Sequence, residues 1–134
     1  LYEIVLQAQQ AGIDAVRPGA MFRDPHHAAM AVIAHALEDM GLLPVSAEEA
    51  LDPSSRLYAR WTLHGTSHML GLDVHDCAAA DTGVYPGGDL AEGMVLTVEP
   101  GLYGPELSAG MRIENQYLVT ANGVENLTPF PLEL

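Results

Sequence analysis

The sequence Met94-Val95-Leu96-Thr97-Val98-Glu99 divides the chain into two parts of different character. Its first five residues are apolar or β-branched and predict a buried β-strand. Two later stretches, 111–114 and 117–120, also have strand character. Asn122-Gly123 is a strong hairpin signal, which would return the chain through residues 124–128. The part of the chain after residue 94 therefore predicts antiparallel strands.

The part before this strand predicts helices. Apolar residues recur at helical spacing from Leu1 to about Val16, and Arg17-Pro18-Gly19 ends that pattern. Asp24 predicts the cap of a second helix and Pro25 its first helical residue. That helix is predicted to stop near Gly41, where a glycine favours helix termination.

A short third helix is predicted through Leu51, because Ser46 and Glu49 have the spacing of a capping box. Residues 52–55 then predict a loop. Helices first and antiparallel strands afterwards indicate an α+β fold in one domain of 134 residues.

The charge balance argues against two classes of partner. Five Lys and Arg residues stand against 18 Asp and Glu, for a formal net charge of −13. Such a chain repels phosphate backbones and anionic lipid, so we expect no nucleic-acid and no membrane partner. The longest apolar run, residues 28–34, is also too short to cross a bilayer.

Cys77 is the single cysteine, which excludes an intrachain disulfide and predicts a reducing, cytoplasmic location. We interpret it as a small buried residue rather than a nucleophile. The chain begins at Leu1 rather than at methionine, and we expect it to be a part of a longer protein.

Histidines and carboxylates concentrate around and after the dividing strand. His64, His68 and His75 lie within twelve positions, Glu99 ends the strand, and Glu114 is predicted inside a later one. A carboxylate in such a place costs free energy unless it is paired or binds a cation. The pattern therefore indicates either a metal site or a set of ion pairs.

His68, Glu99 and Glu114 form a mixed nitrogen and oxygen ligand set, which suits Zn²⁺, Mn²⁺ or Co²⁺. His64 and His75 then remain for proton transfer near neutral pH. The ordinary alternative is that these histidines are structural and that Glu114 pairs with Arg112, two residues before it. For His26, His27 and His35, on the second predicted helix, we favour solvated or packing roles.

The run from His64 to Asp76, HGTSHMLGLDVHD, resembles the signature of Xaa-Pro aminopeptidases, with prolidases close behind. The segments 93–103 and 112–114 follow in that family's order, and residues 125–128 resemble its closing strand. The resemblance extends from Leu1 almost to the end of the chain.

This resemblance implies half of a pita-bread fold, a curved antiparallel sheet flanked by helices. It implies a site with two divalent ions, usually Mn²⁺, which lower the pKa of a water that attacks the peptide carbonyl. By motif, His68 and Glu99 would bind one ion and Glu114 would bridge both. His64 and His75 would contact substrate and the tetrahedral intermediate, and Tyr103 and Arg112 match positions close to the metals.

The chain departs from the family pattern at three points. The family's two aspartate ligands come from a strand pair just upstream of the helix with which this chain begins. The resemblance gives Asp73 and Asp76 no such role. Asn115 follows Glu114 where the family usually has aspartate, and the stretch 104–110 is shorter than usual. We therefore expect the chain to be the C-terminal part of a catalytic domain and to be inactive alone.

Three other functions remain open. One is a prolidase, although Ser67 within the motif favours the aminopeptidase. Another is a metal-free homologue that uses histidine acid–base chemistry, as creatinase does, and the third is a catalytically inactive binding module. The expected partner is a peptide with proline at its second position, and a homo-oligomer is compatible with exposed sheet edges.

Overall fold

The computed structural model describes residues 1–76 and 88–132. Three helices come first: α1 (Tyr2–Ala15), α2 (Asp24–Asp39) and α3 (Ala47–Leu51). Five strands follow: β1 (Val95–Val98), β2 (Gly101–Gly104), β3 (Ala109–Arg112), β4 (Asn115–Thr120) and β5 (Gly123–Asn126). The order confirms the predicted α+β class. Cys77, predicted to be buried, lies outside the described residues.

The first two helices pack against each other and bury their apolar faces. Val5 and Ala8 of α1 and Ala29, Ile33 and Leu37 of α2 are each 0% exposed. These residues follow the spacing from which the helices were predicted, so burial of one apolar stripe on each helix explains why both form. No helix in the described ranges has the length and apolarity that a membrane span requires.

The start of α2 differs from the prediction by one residue. Asp24 is the first helical residue rather than the cap, and its Oδ2 atom accepts a hydrogen bond from the Met21 amide at 2.9 Å. Pro25 therefore occupies the second helical position, which also lacks an intrahelical partner for its nitrogen. In α3 the predicted cap is observed, because the Glu49 amide donates to Ser46 Oγ at 3.2 Å.

The strands form two antiparallel units. Strands β1, β4 and β5 make a sheet in the order β1-β4-β5, and β2 pairs with β3 as a separate hairpin. Strand β2 was not predicted, because its sequence Gly-Leu-Tyr-Gly lacks the apolar alternation of a strand. The prediction that Glu114 lies inside a strand is wrong: β3 ends at Arg112 and β4 begins at Asn115, so Glu114 lies in the connection.

The predicted hairpin is present, with its turn displaced by one residue. Thr120 pairs with Gly123, so the two-residue loop is Ala121 and Asn122. Gly123 has φ of 143°, a value that favours glycine over residues with a side chain.

The helices contact the sheet most closely at Gly12. A Cβ atom added to this residue would lie 3.0 Å from Cγ1 of Val98 and 3.3 Å from the carbonyl oxygen of Pro25. Because glycine has no Cβ, α1 can approach both β1 and the start of α2 at this point.

Candidate metal centre

Residues 66–70 lie along β1 and bring the histidine motif beside it. The Leu70 amide donates to the Val95 carbonyl at 3.0 Å, and the Thr97 amide donates to the His68 carbonyl at 2.9 Å. The Glu99 amide donates to the carbonyl of Thr66 at 2.7 Å. These main-chain bonds fix His68 next to the end of β1, where Glu99 follows the strand.

Three side chains predicted to be ligands converge. One ligand atom from each of His68, Glu99 and Glu114 lies within 4.8 Å of the other two. Glu99 is buried, at 7% exposure, whereas Glu114 is exposed. The expected convergence is therefore observed, and the role of these residues as ligands stays a prediction.

Thr97 connects two of these residues through one hydroxyl group. Its Oγ1 atom accepts a hydrogen bond from the His68 amide at 3.0 Å and donates to Glu99 Oε1 at 3.1 Å. Thr97 is completely buried, so this hydroxyl orients the carboxylate in a place that water does not reach.

The ring of His68 is held so that one nitrogen faces the carboxylates. Its Nδ1 atom lies 2.9 Å from the Met69 carbonyl oxygen, which can only accept, so Nδ1 carries the proton. Nε2 lies 3.2 Å from Glu99 Oε1. In the neutral ring this Nε2 has a free lone pair, which is the arrangement of a metal-binding histidine.

Arg112 is the cation between the two carboxylates. Its guanidinium nitrogens lie 3.5 Å from Glu99 Oε2 and 3.5 Å from Glu114 Oε2. The ion-pair alternative for Glu114 is therefore observed, with Glu99 sharing the same partner. One half-exposed guanidinium faces two carboxylates, so the cluster keeps an excess of negative charge when its histidine is neutral.

His64 reaches the same region through Tyr103. His64 Nδ1 lies 2.8 Å from the Gly65 carbonyl oxygen, and its Nε2 lies 2.8 Å from the Tyr103 hydroxyl oxygen. Because Nδ1 donates to a carbonyl, the neutral ring accepts the Tyr103 proton at Nε2. Burial raises the pKa of Tyr103, the Arg112 charge opposes this, and the Glu99 charge adds to it.

His75 stacks on the ring of His68. The two ring centroids are 4.4 Å apart with an interplanar angle of 61°. The contact is edge-to-face, and His75 is exposed, so its ring remains accessible to a ligand. The structure thus brings all seven predicted site residues into one region: His64, His68, His75, Glu99, Tyr103, Arg112 and Glu114.

Asn115, which departs from the family pattern, belongs to a buried polar network. Its Oδ1 accepts from Gln9 Nε2 at 3.1 Å, and Gln9 Nε2 also lies 3.3 Å from the Val98 carbonyl oxygen. The Asn115 amide group donates to Thr128. An amide can accept and donate at once, which a carboxylate cannot do. Sequence reasoning missed this network because its members are far apart in the chain.

The other histidines differ in their surroundings. His35 is exposed, lies 3.4 Å from a Glu48 carboxylate oxygen, and is solvated as predicted. His26 has a packing role: its Nδ1 lies 3.0 Å from Thr66 Oγ1 and its Nε2 lies 3.5 Å from the Tyr58 hydroxyl. Burial lowers the pKa of His26 to about 4, and the neighbouring positive charges add to the effect.

Comparison with known proteins places this arrangement among peptidases. The model of metallopeptidase family M24 matches residues 1–121. Xaa-Pro aminopeptidase 1 of Streptomyces coelicolor is 51% identical over 137 aligned residues, which cover 96% of this chain and 28% of that protein. The chain therefore spans less than a third of the length of this relative.

Solved structures give the same result for the fold. Aminopeptidase PepP of Pseudomonas aeruginosa superimposes with a TM-score of 0.83 at 36% identity, over 94% of this chain and 30% of that one. Zinc-substituted aminopeptidase P of Escherichia coli in complex with product gives 0.82 at 34% identity, with the same coverage. The predicted arrangement, half of a pita-bread fold, is confirmed.

Proposed function

This chain belongs to metallopeptidase family M24, and from that premise we propose that it forms part of a Xaa-Pro aminopeptidase. The enzyme would release the N-terminal residue from peptides with proline at the second position. The observation that carries the proposal is the convergence of His68, Glu99 and Glu114 within 4.8 Å. The 51% identity to a Streptomyces coelicolor Xaa-Pro aminopeptidase supports the substrate class.

The donor set fits a divalent metal ion. One imidazole nitrogen with a free lone pair and carboxylate oxygens from two residues match Mn²⁺, Zn²⁺ or Co²⁺. We propose that His68, Glu99 and Glu114 would hold the metal, with His68 and Glu99 on one ion and Glu114 shared with a second, and that both ions would be Mn²⁺ in the complete enzyme. When bound, the ions would supply Lewis acidity and a nucleophilic water at neutral pH.

The residues around this set would bind and orient the substrate. We propose that His64 and His75 contact the substrate and the tetrahedral intermediate. His75 is exposed and in its protonated form can donate to the oxygen that becomes negative in the transition state, whereas His64 would exchange its bond to Tyr103 for such a contact. Tyr103 holds His64 through its hydroxyl. Arg112 holds both glutamates in place through its ion pairs.

We propose that residues 1–134 are the C-terminal part of the catalytic domain and that two aspartate ligands come from a preceding segment. The match covers 28% of that relative's length, so most of such an enzyme lies outside the matched segment. The substrate would be a peptide, without nucleic-acid or membrane partners, and a homo-oligomer is compatible with the chain. The single cysteine supports a reducing, cytoplasmic location.

A chimera tests the proposal. Residues 1–134 replace the matching segment of the Streptomyces coelicolor relative, and cleavage of Ala-Pro-Ala is measured with added Mn²⁺. We expect cleavage that is lost on chelation and in the His68→Ala variant, because that variant removes the proposed nitrogen ligand. The matched control is His35→Ala, an exposed histidine outside the site, which should leave cleavage unchanged.

The same chimera separates the alternatives. Cleavage of Ala-Pro in preference to Ala-Pro-Ala would indicate a prolidase, and cleavage that survives chelation would indicate a metal-free homologue. A folded chimera that binds peptide without cleaving it would indicate a binding module.

A further inference from the structure

A pocket lies beside residues 65–67, between the start of α2 and the loop that follows α3. Its volume is about 860 Å³. The residues that form it include Arg23, His26, Met30, Leu51, Arg56 and Ser67. Among the described residues that line it, none is an aspartate or a glutamate.

The pocket contains two of the five basic residues of a chain whose net charge is −13. Within the described part of the chain, Arg23 and Arg56 form no ion pair with a carboxylate, whereas Arg60 and Arg112 do. In a chain with 18 acidic residues, two unneutralised guanidinium groups at one pocket make a local positive field.

The environment of His26, which also lines the pocket, agrees with this charge balance. Every charged group that shifts its pKa is cationic or a histidine: His27, Arg56, Arg23 and His64 all lower it, after the larger effect of burial. A nearby carboxylate would raise this pKa instead. An anion in the pocket therefore meets attraction without an opposing negative group among these neighbours.

The pocket also has apolar walls and a free hydroxyl. Phe22, Met30 and Leu51 line it, and the first two are almost completely buried. Ser67 Oγ is buried and has no hydrogen-bond partner in the described part of the chain. Buried hydroxyl groups are seldom left unpaired, which makes this group unusual among the residues that line the pocket. Arg56 is held at φ of 45°, an uncommon conformation for a residue other than glycine.

From these features we infer that the pocket is a binding site for an organic carboxylate with an apolar body. The carboxylate would lie between the guanidinium groups of Arg23 and Arg56, and the apolar body would contact Met30 and Leu51. Guanidinium groups recognise a carboxylate through paired hydrogen bonds, which gives the site its selectivity for charge. The inference does not depend on the metal centre or on the proposed peptidase activity.

Three probes of different charge and polarity test the inference: hexanoate, its uncharged analogue hexanamide, and inorganic phosphate. Each is titrated into the ¹⁵N-labelled protein, and the amide resonances of Gly65 and Thr66 are followed. The reference is Glu125 on β5, an exposed residue that does not line the pocket. We expect hexanoate to shift the first two resonances saturably and to leave Glu125 unchanged. Hexanamide and phosphate should bind at least about fivefold more weakly, because each lacks one of the two recognised features.

Substitutions then test whether Arg23 and Arg56 supply the positive charge that binds the carboxylate. Arg23→Gln and Arg56→Gln should each weaken hexanoate binding about fivefold to tenfold, as expected for loss of one charge-assisted contact at an exposed rim. Arg17→Gln is the matched control, because Arg17 is an exposed arginine that does not line the pocket. Unchanged backbone spectra of the variants would show that they fold.

Four results would overturn the assignment. These are the absence of saturable hexanoate shifts, equal binding of hexanamide, equal binding of phosphate, and equal weakening by Arg17→Gln and the two pocket variants.

Discussion

In the helical layer, formed by α1, α2 and α3, the side chains that determine the structure are apolar and completely buried. In the charged edge, formed by residues 64–68, Glu99, Arg112 and Glu114, they carry charge and several reach solvent. The helical layer is stabilised mainly by burial of apolar area. The charged edge is stable only when its charges are paired, because each carboxylate needs a cation or a hydrogen-bond donor. The stability of the protein and its chemistry therefore belong to different regions.

The largest expected effect is on the helical layer. Ile33→Ala removes a side chain with 0% exposure from the core between the helices. We expect the free energy of unfolding to fall by about 2–5 kcal/mol, from lost apolar contact and the remaining cavity. Denaturant unfolding followed by circular dichroism measures it. Val32→Ala on the same helix, where the side chain is half-buried, should cost clearly less, and equal costs would contradict the division into regions.

The next effect is on chemistry at the charged edge. In the chimera, His64→Ala or His75→Ala should lower turnover by about 10²-fold, or about 2.7 kcal/mol, because each removes a group that stabilises developing charge. Metal content and unfolding free energy should stay nearly constant. Loss of metal from either variant would instead identify that histidine as a ligand.

A smaller effect tests the boundary between the regions, where His26 of α2 contacts Thr66. Its pKa in the folded protein is about 4, against 6.5 when unfolded, so the unfolded state binds the proton first as the pH falls. Stability from this residue is complete above pH 6.5 and is lost as the pH falls towards 4, by about 2 kcal/mol after allowance for partial exposure.

His26→Gln should reduce this dependence of the unfolding free energy on pH between 6.5 and 4. The slope is the informative quantity, since the substitution also alters hydrogen bonds that do not depend on pH. His35→Gln is the control, because that ring is exposed. An unchanged slope in the His26 variant would show that the ring is solvated and does not connect the two regions.

The smallest effect is expected when Mn²⁺ is added to the polypeptide of residues 1–134 and the heat of binding is measured. We expect at most one Mn²⁺ per chain, bound weakly and removed readily by chelator, because His68, Glu99 and Glu114 form an open site. We also expect no cleavage of Ala-Pro-Ala. Calorimetric titration that gives two tight sites would show that no further carboxylates are needed.

The regions also differ in how far the sequence predicts them. The helices α1 and α2 were predicted to within a residue or two, because apolar spacing is a local signal that burial then satisfies. Strand β2 and the pairing of residues 66–70 with β1 were not predicted, because both depend on partners elsewhere in the chain. A strand of this kind is stabilised by its neighbour more than by its own composition.

The candidate site was predicted by residue type, while its internal contacts were not. The family motif identified His68 and Glu99, and the structure adds the Thr97 hydroxyl that connects them. The arginine pocket had no sequence signal, because Arg23 and Arg56 are 33 positions apart and lie in unrelated elements. Their proximity follows from how α3 and its loop fold back towards the start of α2.

The close approach at Gly12 also limits which sequences this fold can accept. A single methyl group there would lie 3.0 Å from Val98, the residue before Glu99. Either the Val98 side chain or helix α1 would have to give way by a few tenths of an ångström. A shift of α1 would reach Asn115, the neighbour of Glu114, through Gln9, which lies one turn earlier on that helix. The positions of Glu99 and Glu114 therefore depend on a glycine that lies outside the site. Gly12→Ala would therefore add a methyl group between the helices and the sheet. It would disturb the arrangement of the metal centre although it contacts none of the predicted ligands.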